Sequence, residues 1–313
     1  GLCMILPQNH PELLSGNKMN KKYKLVKSHL EEFGLEFFNN GSEYFAWANE
    51  LFEENTKELD KDIEKYIKLF DKHADDPSND RIQKLFYDHA ASHNFFIKIL
   101  HSIKSVVIAQ SCIGVIEEII DNSEILDLGC NVGYLTSFYA KYYPNSSITG
   151  IDINKKSILK AKQLNQSYKN LEFFNNYKDV NNKKFDFVID TQCLSTLHDL
   201  NIISETLKQV RNLTKDKGKI ISIANLISKD HYDELIPLFN KNNFYINEFY
   251  PFPVEGLDGI EIYTKIILTE EDKKIKINVN DYYKDLSNFL ESDYYFDHID
   301  EVKVALQKRH YYK

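Results

Sequence analysis

The stretch from Ile125 to Ile153 decides the fold. It opens with Ile125-Leu-Asp-Leu-Gly-Cys-Asn-Val-Gly-Tyr-Leu-Thr136 and, after a helix-like segment, closes with Thr149-Gly-Ile-Asp-Ile153. The pattern predicts an apolar strand, a tight turn with Gly129 and Gly133, a helix, and a second strand that ends at Asp152. Glycines at such a turn let backbone amides approach a ligand closely, and an acid at the next strand tip can accept hydrogen bonds from both ribose hydroxyls. The spacing therefore predicts a site for a ligand that contains a ribose.

The residues of the turn indicate which ribose ligand binds. A dinucleotide site requires G-x-G-x-x-G around a pyrophosphate, whereas this turn has Asn131 between its two glycines. Asp127, at the end of the first strand, would repel a pyrophosphate but can favour an ammonium group. The pattern resembles motif I of the class I S-adenosylmethionine (SAM)-dependent methyltransferases, roughly D/E-x-G-x-G-x-G, with Asn131 in place of the middle glycine. An ordinary strand–turn–helix of another α/β protein is the alternative.

The resemblance covers roughly residues 80 to 270 and implies SAM as the cofactor. It assigns the methionine part and the ribose to residues that follow the first two strands: Asp127, Gly129, Cys130, Asn131, Gly133, Asp152 and Ile153. It assigns the edge of the methyl-donor pocket to residues at the exit of the fourth strand: Asp190, Thr191 and Gln192. In the turn after the third strand, Asn176 would pair with the adenine and Tyr177 would lie against its ring. Asp179 is an alternative adenine partner, and a solvated loop is equally open.

His198 follows the fourth strand and is the first candidate for a catalytic base. The pKa of histidine lies near neutrality, as a general base requires. The alternative is a polar loop residue, with Asp199 capping the helix that follows.

The segment from Arg81 to Ile103 is predicted to form one helix upstream of this motif. Its apolar stripe carries His89 and His93, which could ligate a metal only with a third ligand, so no metal is expected and core histidines are the alternative. Tyr87-Asp-His-Ala-Ala91 resembles the Tyr-Asp-x-x-Ala segment with which many small-molecule methyltransferases cover the cofactor. This resemblance implies that Tyr87 contacts the cofactor and that His93 is a second catalytic candidate.

The alternation of strands and helices after Glu124 predicts the fold class. We expect a doubly wound, mostly parallel seven-stranded sheet of the Rossmann-like methyltransferase type, with an N-terminal all-helical cap. The segments 245–251 and 260–268 should form an antiparallel hairpin, and the resemblance places the seventh strand beside the fifth. Four parts are predicted: 1–18, added for expression or disordered; 19–121, the cap or lid; 122–270, the SAM-binding domain; and 271–313, a helical tail.

Composition narrows the partners and the compartment. The net charge of −8 makes nucleic acid an unlikely partner, and the scattered four cysteines indicate no disulfide framework. The chain has no apolar run long enough to cross a membrane, and its start lacks the features of a signal peptide. These features predict a cytoplasmic protein, and a homodimer through the cap or the tail stays open. The small-molecule partner is implied by the resemblance to small-molecule methyltransferases.

The combined prediction is a SAM-dependent methyltransferase that acts on an oxygen or nitrogen atom of a small molecule in a site closed by the cap. Two alternatives remain: a methyltransferase acting on a peptide or protein, and a SAM-binding partner protein without catalysis. The run Asp127-Leu-Gly-Cys-Asn-Val-Gly133 also occurs in a family that methylates RNA terminal phosphates, but the rest of that pattern is absent.

Overall fold

The computed structural model describes residues 21–180, 182–225, 229–257 and 259–290. Five helices precede the sheet: α1 (Lys21–Glu32), α2 (Gly41–Asp75), α3 (Asp80–Ala90), α4 (Asn94–Ser102) and α5 (Ser105–Ile116). The alternating part contains β1 (Glu124–Leu128), α6 (Tyr134–Tyr142), β2 (Ser147–Ile151), α7 (Lys155–Leu164), β3 (Leu171–Phe174), β4 (Phe185–Thr191), α8 (Leu200–Leu213) and β5 (Thr214–Asn225). It ends with α9 (Lys229–Lys241), β6 (Tyr245–Glu255), β7 (Ile260–Thr269) and α10 (Val279–Leu290).

The seven strands form one sheet in the order β3-β2-β1-β4-β5-β7-β6. Strands β1 to β5 are parallel, and β7 lies antiparallel between β5 and β6. The predicted doubly wound sheet, its helical N-terminal region and its inserted seventh strand are confirmed. The chain leaves β1 toward β2 on one side and returns to β4 on the other, so the topological switch point lies between β1 and β4. Ligands of open α/β sheets bind at this point, beyond the carboxyl ends of the strands.

Both faces of the sheet are covered, because alternate residues of each central strand belong to different cores. Leu126 and Val188 pack with the core under α8, α9 and α10. Ile125 and Ile189 pack with the core under α1, α5 and α6. Parallel strands need such burial on both faces. Packing from both sides holds the carboxyl ends of β1, β2 and β4 at one edge.

The helical region differs from the prediction at one point. The single helix predicted from Arg81 to Ile103 is wrong, because α3 ends at Ala90 and α4 begins at Asn94. The hydroxyl of Ser92 donates a hydrogen bond to the carbonyl of His89 (2.6 Å), and His93 has extended backbone angles (φ −135°, ψ 141°). Side chains that a continuous helix would place on one stripe are therefore divided between α3 and α4, with His93 in the break between them.

The tail begins with α10, which packs on the sheet through the fully buried Tyr282, whose hydroxyl lies 2.6 Å from the Thr264 Oγ1. Residues 1–20 and 291–313 lie outside the described residues, so the predicted division into four parts stays a prediction. Within the described ranges, a single helix never combines the length and apolarity of a membrane span; α4 and α5 do so only as a pair bent by 74°.

Candidate active site

The turn after β1 is a close-packed backbone corner. The amides of Gly129 and Cys130 both donate to the carbonyl of Ile151 (2.8 and 3.0 Å), which joins the turn to the end of β2. Gly129 and Gly133 have φ values of +72° and +82°, which favour glycine. A Cβ on Gly129 would lie 2.7 Å from the sulfur of Cys193, so the turn also touches the loop that follows β4.

Asn131 and Asp152 form one hydrogen-bonded unit. Asn131 has a φ of +49°, a region that asparagine tolerates, and its amide donates to Asp152 Oδ2 at 2.9 Å. The other oxygen of Asp152 accepts from the amide of Asn154 at 2.8 Å. Burial raises the pKa of Asp152, those two hydrogen bonds oppose the rise, and the carboxylate of Asp88 adds to it. The ribose acid predicted from the sequence is therefore held in place by the turn that it follows.

Asp127 is a buried carboxylic acid beneath the turn, at the end of β1. The hydroxyl of Thr136 donates to its Oδ2 at 2.6 Å. Burial raises the pKa of Asp127 to about 7, Thr136 opposes the rise, and Asp152 and Asp190 add to it. A cation bound nearby would relieve this repulsion and favour the ionised acid.

Asp190, predicted to lie at the edge of the methyl-donor pocket, forms its hydrogen bonds with groups of the protein itself. Its side chain is 1% exposed and accepts hydrogen bonds from the amides of Cys193 (3.0 Å) and Leu194 (2.9 Å) and from the Ser222 hydroxyl (2.7 Å). These bonds shape the loop after β4. Burial raises the pKa of Asp190, and the same three bonds oppose the rise.

Thr191 and Gln192 follow at the carboxyl end of β4. The hydroxyl of Thr191 is buried without a hydrogen-bond partner in the described residues. Gln192 has a φ of +57°, and its side-chain amide donates to the hydroxyl of Tyr263 at 3.2 Å. The predicted donor-pocket edge thus contains one polar group that a ligand can satisfy.

The turn after β3 lies at the same edge. Asn176 is exposed, and its side-chain oxygen accepts from the amide of Lys178 at 2.9 Å. The ring of Tyr177 is half-buried, and burial, followed by Cys193 and Asp152, raises its pKa. Ile153 is 56% exposed directly after Asp152. Tyr177 and Ile153 therefore present apolar surface beside the ribose acid, and their predicted adenine contacts stay predictions.

Helix α3 covers this edge with Tyr87 and Asp88. Burial raises the pKa of Tyr87, and its charged neighbour is Asp152. Asp88 Oδ2 lies 3.5 Å from the ammonium of Lys84, whereas its Oδ1 is buried without a hydrogen-bond partner among the described residues. The helical region thus supplies a second acid and a tyrosine to the ribose acid, consistent with the predicted position of Tyr87.

The two histidines of the predicted stripe both contact Asp62 of α2. His89 is a buried core histidine whose Nε2 lies 2.8 Å from the backbone carbonyl of Asp62. The Nε2 of His93 lies 2.9 Å from the Asp62 carboxylate, and His93 also lines a cleft of about 450 Å³ that Lys160 of α7 borders. The break after α3 turns His93 toward α2. Its predicted catalytic role stays a prediction that these contacts do not support.

His198 lies on the loop between β4 and α8. Its side chain is 41% exposed, with Nδ1 3.8 Å from a carboxylate oxygen of Asp80. The amides of His198 and Asp199 both donate to that carboxylate (3.2 and 2.9 Å), and Asp199 caps α8. Asp80 therefore ties the loop to the start of α3. The catalytic role of His198 stays a prediction.

His101 of α4 is the site residue that sequence reasoning missed. It is buried, its Nε2 lies 3.4 Å from the side-chain nitrogen of Asn131, and its Nδ1 lies 3.3 Å from the hydroxyl of Tyr134. Its position in an apolar helix resembles that of a core histidine, so only the contact with the turn identifies it. The one sequence feature that pointed to an unusual contact here was Asn131, which stands where motif I has its middle glycine.

The residues present fit SAM. SAM carries positive charge on its sulfonium and ammonium groups, and Asp127, Asp152 and Asp190 form an acidic cluster whose mutual repulsion a cation would reduce. Two buried polar atoms, Thr191 Oγ1 and Asp88 Oδ1, lack partners in the described chain, and buried polar groups are normally satisfied. Asp127, Asp152, Thr191 and Tyr87 are the residues that would hold SAM, together with the turn.

Comparison with known proteins agrees with this geometry. A methyltransferase-domain family model matches residues 119–284, just over half of the chain. The chain therefore belongs to this family, within the class I SAM-dependent methyltransferases. It is 25% identical over 175 residues to 235L of Invertebrate iridescent virus 6, described as a methyltransferase, and 26% identical over 127 residues to N-methyltransferase 4 of Papaver somniferum. These matches cover 54% and 38% of this chain, but only 63% and 35% of the relatives' own lengths.

Solved structures with a similar fold include a SAM-dependent methyltransferase from Methanosarcina mazei. It is 20% identical, with 49% of this chain and 95% of that chain covered, and a TM-score of 0.40. A TehB-like SAM-dependent methyltransferase from Corynebacterium glutamicum is 15% identical, with 52% and 88% covered and a TM-score of 0.40. These likenesses concern the fold alone.

Proposed function

We propose that the protein transfers the methyl group of SAM to an oxygen or nitrogen atom of a small-molecule acceptor, in a site covered by the helical region. The observation that carries the proposal is the position of α3, whose Asp80 accepts hydrogen bonds from the loop after β4 and whose Tyr87 and Asp88 interact electrostatically with Asp152. A small acceptor can enter beneath such a cover, whereas a macromolecular acceptor requires an open edge.

The chemistry asks little of the protein beyond alignment. SAM supplies a methyl group on a sulfonium, already activated for in-line displacement. The protein has to orient the acceptor and exclude water. The acids of the turn can hold the charged cofactor, and α3 can keep water from the same edge. A base is needed only for acceptors that must lose a proton, and His198 is the remaining candidate.

The names of the relatives cover more than one kind of acceptor. They include a malonyl-acyl-carrier-protein O-methyltransferase of Priestia megaterium and a release factor glutamine methyltransferase of Fusobacterium nucleatum. A peptide or protein acceptor and a non-catalytic SAM-binding role are therefore outcomes that the test must separate.

We expect SAM and S-adenosylhomocysteine to bind to the purified protein and NAD not to bind. Asp127 opposes a pyrophosphate, whereas the turn and Asp152 suit a nucleoside that carries a cation. Calorimetry with the three ligands measures this binding. Incubation with methyl-labelled SAM and a cell extract, separated into small-molecule and protein fractions, shows which class of acceptor receives the methyl group.

Label in the small-molecule fraction supports the proposal, and label only in protein supports the alternative acceptor. SAM binding without release of S-adenosylhomocysteine in any fraction would support the non-catalytic role. Tight binding of NAD without SAM would contradict the cofactor assignment.

We expect Tyr87→Phe to lower the single-turnover rate more than it lowers thermal stability. The change removes one hydroxyl beside Asp152 without changing the core volume, so it disturbs alignment and water exclusion. The rate with saturating SAM and the melting temperature are the two measurements.

His93→Ala is the matched comparison from the same helical region. It removes the partner of Asp62 and leaves a gap between α2 and α4, so its main effect should be a lower melting temperature. A near-normal rate for Tyr87→Phe, or a large rate loss for His93→Ala without a change in melting temperature, would contradict this assignment.

A further inference from the structure

Three polar side chains meet where α4 touches the turn after β1. They are His101 of α4, Asn131 of the turn, and Tyr134, the first residue of α6. The ring nitrogens of His101 lie 3.4 Å from the side-chain nitrogen of Asn131 and 3.3 Å from the Tyr134 hydroxyl. The His101 and Tyr134 rings are 4.8 Å apart. This cluster joins the helical region to the candidate cofactor turn.

The contacts of His101 determine where its proton lies. Burial lowers the pKa of His101 to about 4, so the ring is neutral near pH 7, with one nitrogen that donates and one that accepts. With the Asn131 amide oriented as in the structure, its nitrogen donates to Nε2, and the neutral ring then carries its hydrogen on Nδ1, toward the oxygen of Tyr134. The hydroxyl hydrogen of Tyr134 is then available to another acceptor.

Tyr134 begins α6 directly after Gly133, next to the part of the site assigned to the methionine group. Burial raises its pKa, and its ionisable neighbours are Tyr87, Asp127 and Cys130. The methionine group of SAM carries an ammonium and a carboxylate. The acids of the turn attract the ammonium but repel the carboxylate, so the carboxylate needs a hydrogen-bond donor in this acidic cluster. A tyrosine hydroxyl with a free hydrogen is such a donor.

We propose that Tyr134 donates its hydroxyl hydrogen to the methionine carboxylate of the bound cofactor, and that His101 is a positioning residue that directs this hydrogen. The proposal rests on the proposed function, because it assumes that SAM occupies the turn. It also accounts for asparagine at position 131, because a glycine there would lack the side-chain amide that determines which ring nitrogen of His101 carries the hydrogen.

The test compares two ligands that differ in the amino-acid part alone. S-Adenosylhomocysteine carries the carboxylate, whereas 5′-methylthioadenosine has the same adenine and ribose without the amino acid. Tyr134→Phe should weaken binding of S-adenosylhomocysteine about tenfold or more, the expected loss for a hydrogen bond to a charged group. Binding of 5′-methylthioadenosine should not change. A general disturbance of the turn would weaken both ligands equally.

Variants of the partners test the positioning role. His101→Phe and Asn131→Gly should each weaken the binding of S-adenosylhomocysteine but not that of 5′-methylthioadenosine. His101→Gln, which keeps a donor and an acceptor, should retain most of the affinity for S-adenosylhomocysteine. Tyr142→Phe, two turns further along α6, is the matched control and should bind both ligands normally. Melting temperatures identify any variant that fails to fold.

An unchanged ratio of the two affinities in folded Tyr134→Phe would overturn the proposal while leaving the proposed function intact. A wild-type protein that binds neither ligand would overturn both. If Tyr134→Phe selectively lost affinity for S-adenosylhomocysteine while His101→Phe and Asn131→Gly bound it normally, the positioning role of His101 would be overturned.

Discussion

Replacing Asp152 with asparagine should weaken SAM binding about tenfold to a hundredfold. Each hydrogen bond to a charged group contributes about 1.5–3 kcal/mol, and about 1.4 kcal/mol corresponds to a tenfold change in affinity. The change removes the negative charge and replaces one charged acceptor by a neutral donor, so a ribose hydroxyl loses its bond to a carboxylate oxygen. Calorimetric titration with SAM and with S-adenosylhomocysteine measures the effect, which should be similar for both because they share the ribose.

The fold should survive this substitution. The remaining oxygen of the asparagine can still accept from the amide of Asn131 or Asn154, which now bond to Asp152 at 2.9 and 2.8 Å. Asp216→Asn is the matched control, because it removes an exposed carboxylate of β5 and should bind SAM normally. Unchanged SAM affinity in folded Asp152→Asn would show that the ribose lies elsewhere.

SAM affinity should rise at least tenfold between about pH 5 and about pH 7, because a carboxylic acid with a pKa near 7 must ionise to receive a cation. Burial raises the pKa of Asp127 to about 7 in the free protein. Below that pH, binding should release a proton as the ligand's ammonium favours the carboxylate. Titrations in buffers with different ionisation enthalpies count that proton. Asp127→Asn should bind weakly and without most of this pH dependence.

Other ionisable groups near Asp127 also affect the pH dependence of SAM affinity. Asp152 and Asp190 also have raised pKa values and contribute in the same direction, so the variant isolates the share of Asp127. Cys130, Cys193 and Tyr134 keep their protons throughout this range, because burial raises their pKa values further. A flat affinity profile in the wild-type protein would contradict the role of Asp127.

The same pKa shift predicts the stability of the free protein. A folded-state pKa of about 7 lies above the unfolded value of 3.8, so the folded state binds more protons between the two values. The stabilisation from Asp127 is therefore complete below about pH 4 and is lost as the pH rises through about 7. The melting temperature of the wild-type protein without ligand, relative to that of Asp127→Asn, should therefore fall as the pH rises from about 4 to about 7.

The cofactor edge could be read from sequence because its determinants are local. The strand, the two glycines and Asp152 lie within one short segment, and the amides that bind Ile151 and Asp152 come from that segment. The hairpin was equally local, since few residues separate β6 from β7. In both cases neighbouring residues determine which backbone atoms meet.

The contacts of side chains from distant segments could not be read in this way. The ligand contact predicted for Asp190 stays a prediction, whereas its hydrogen bonds to Ser222 of β5 and to two loop amides appear only in the folded chain. The role predicted for His93 over the cofactor also stays a prediction, and its contact with Asp62 of α2 depends on the break after α3. His101 was not predicted, because nothing in its helix marks it.

The sequence alone determined the strand, turn and helix of the SAM-type motif, the acid at the tip of the next strand and the alternation of strands and helices that follows, because strand periodicity and glycine conformation are properties of short segments. Tertiary structure decided which residues of the helical region reach that turn and what pKa Asp127 has there. Both depend on tertiary packing. The break between α3 and α4 leaves His93 against Asp62, and His101 of α4 contacts Asn131 of the turn. Burial among other acids raises the pKa of Asp127.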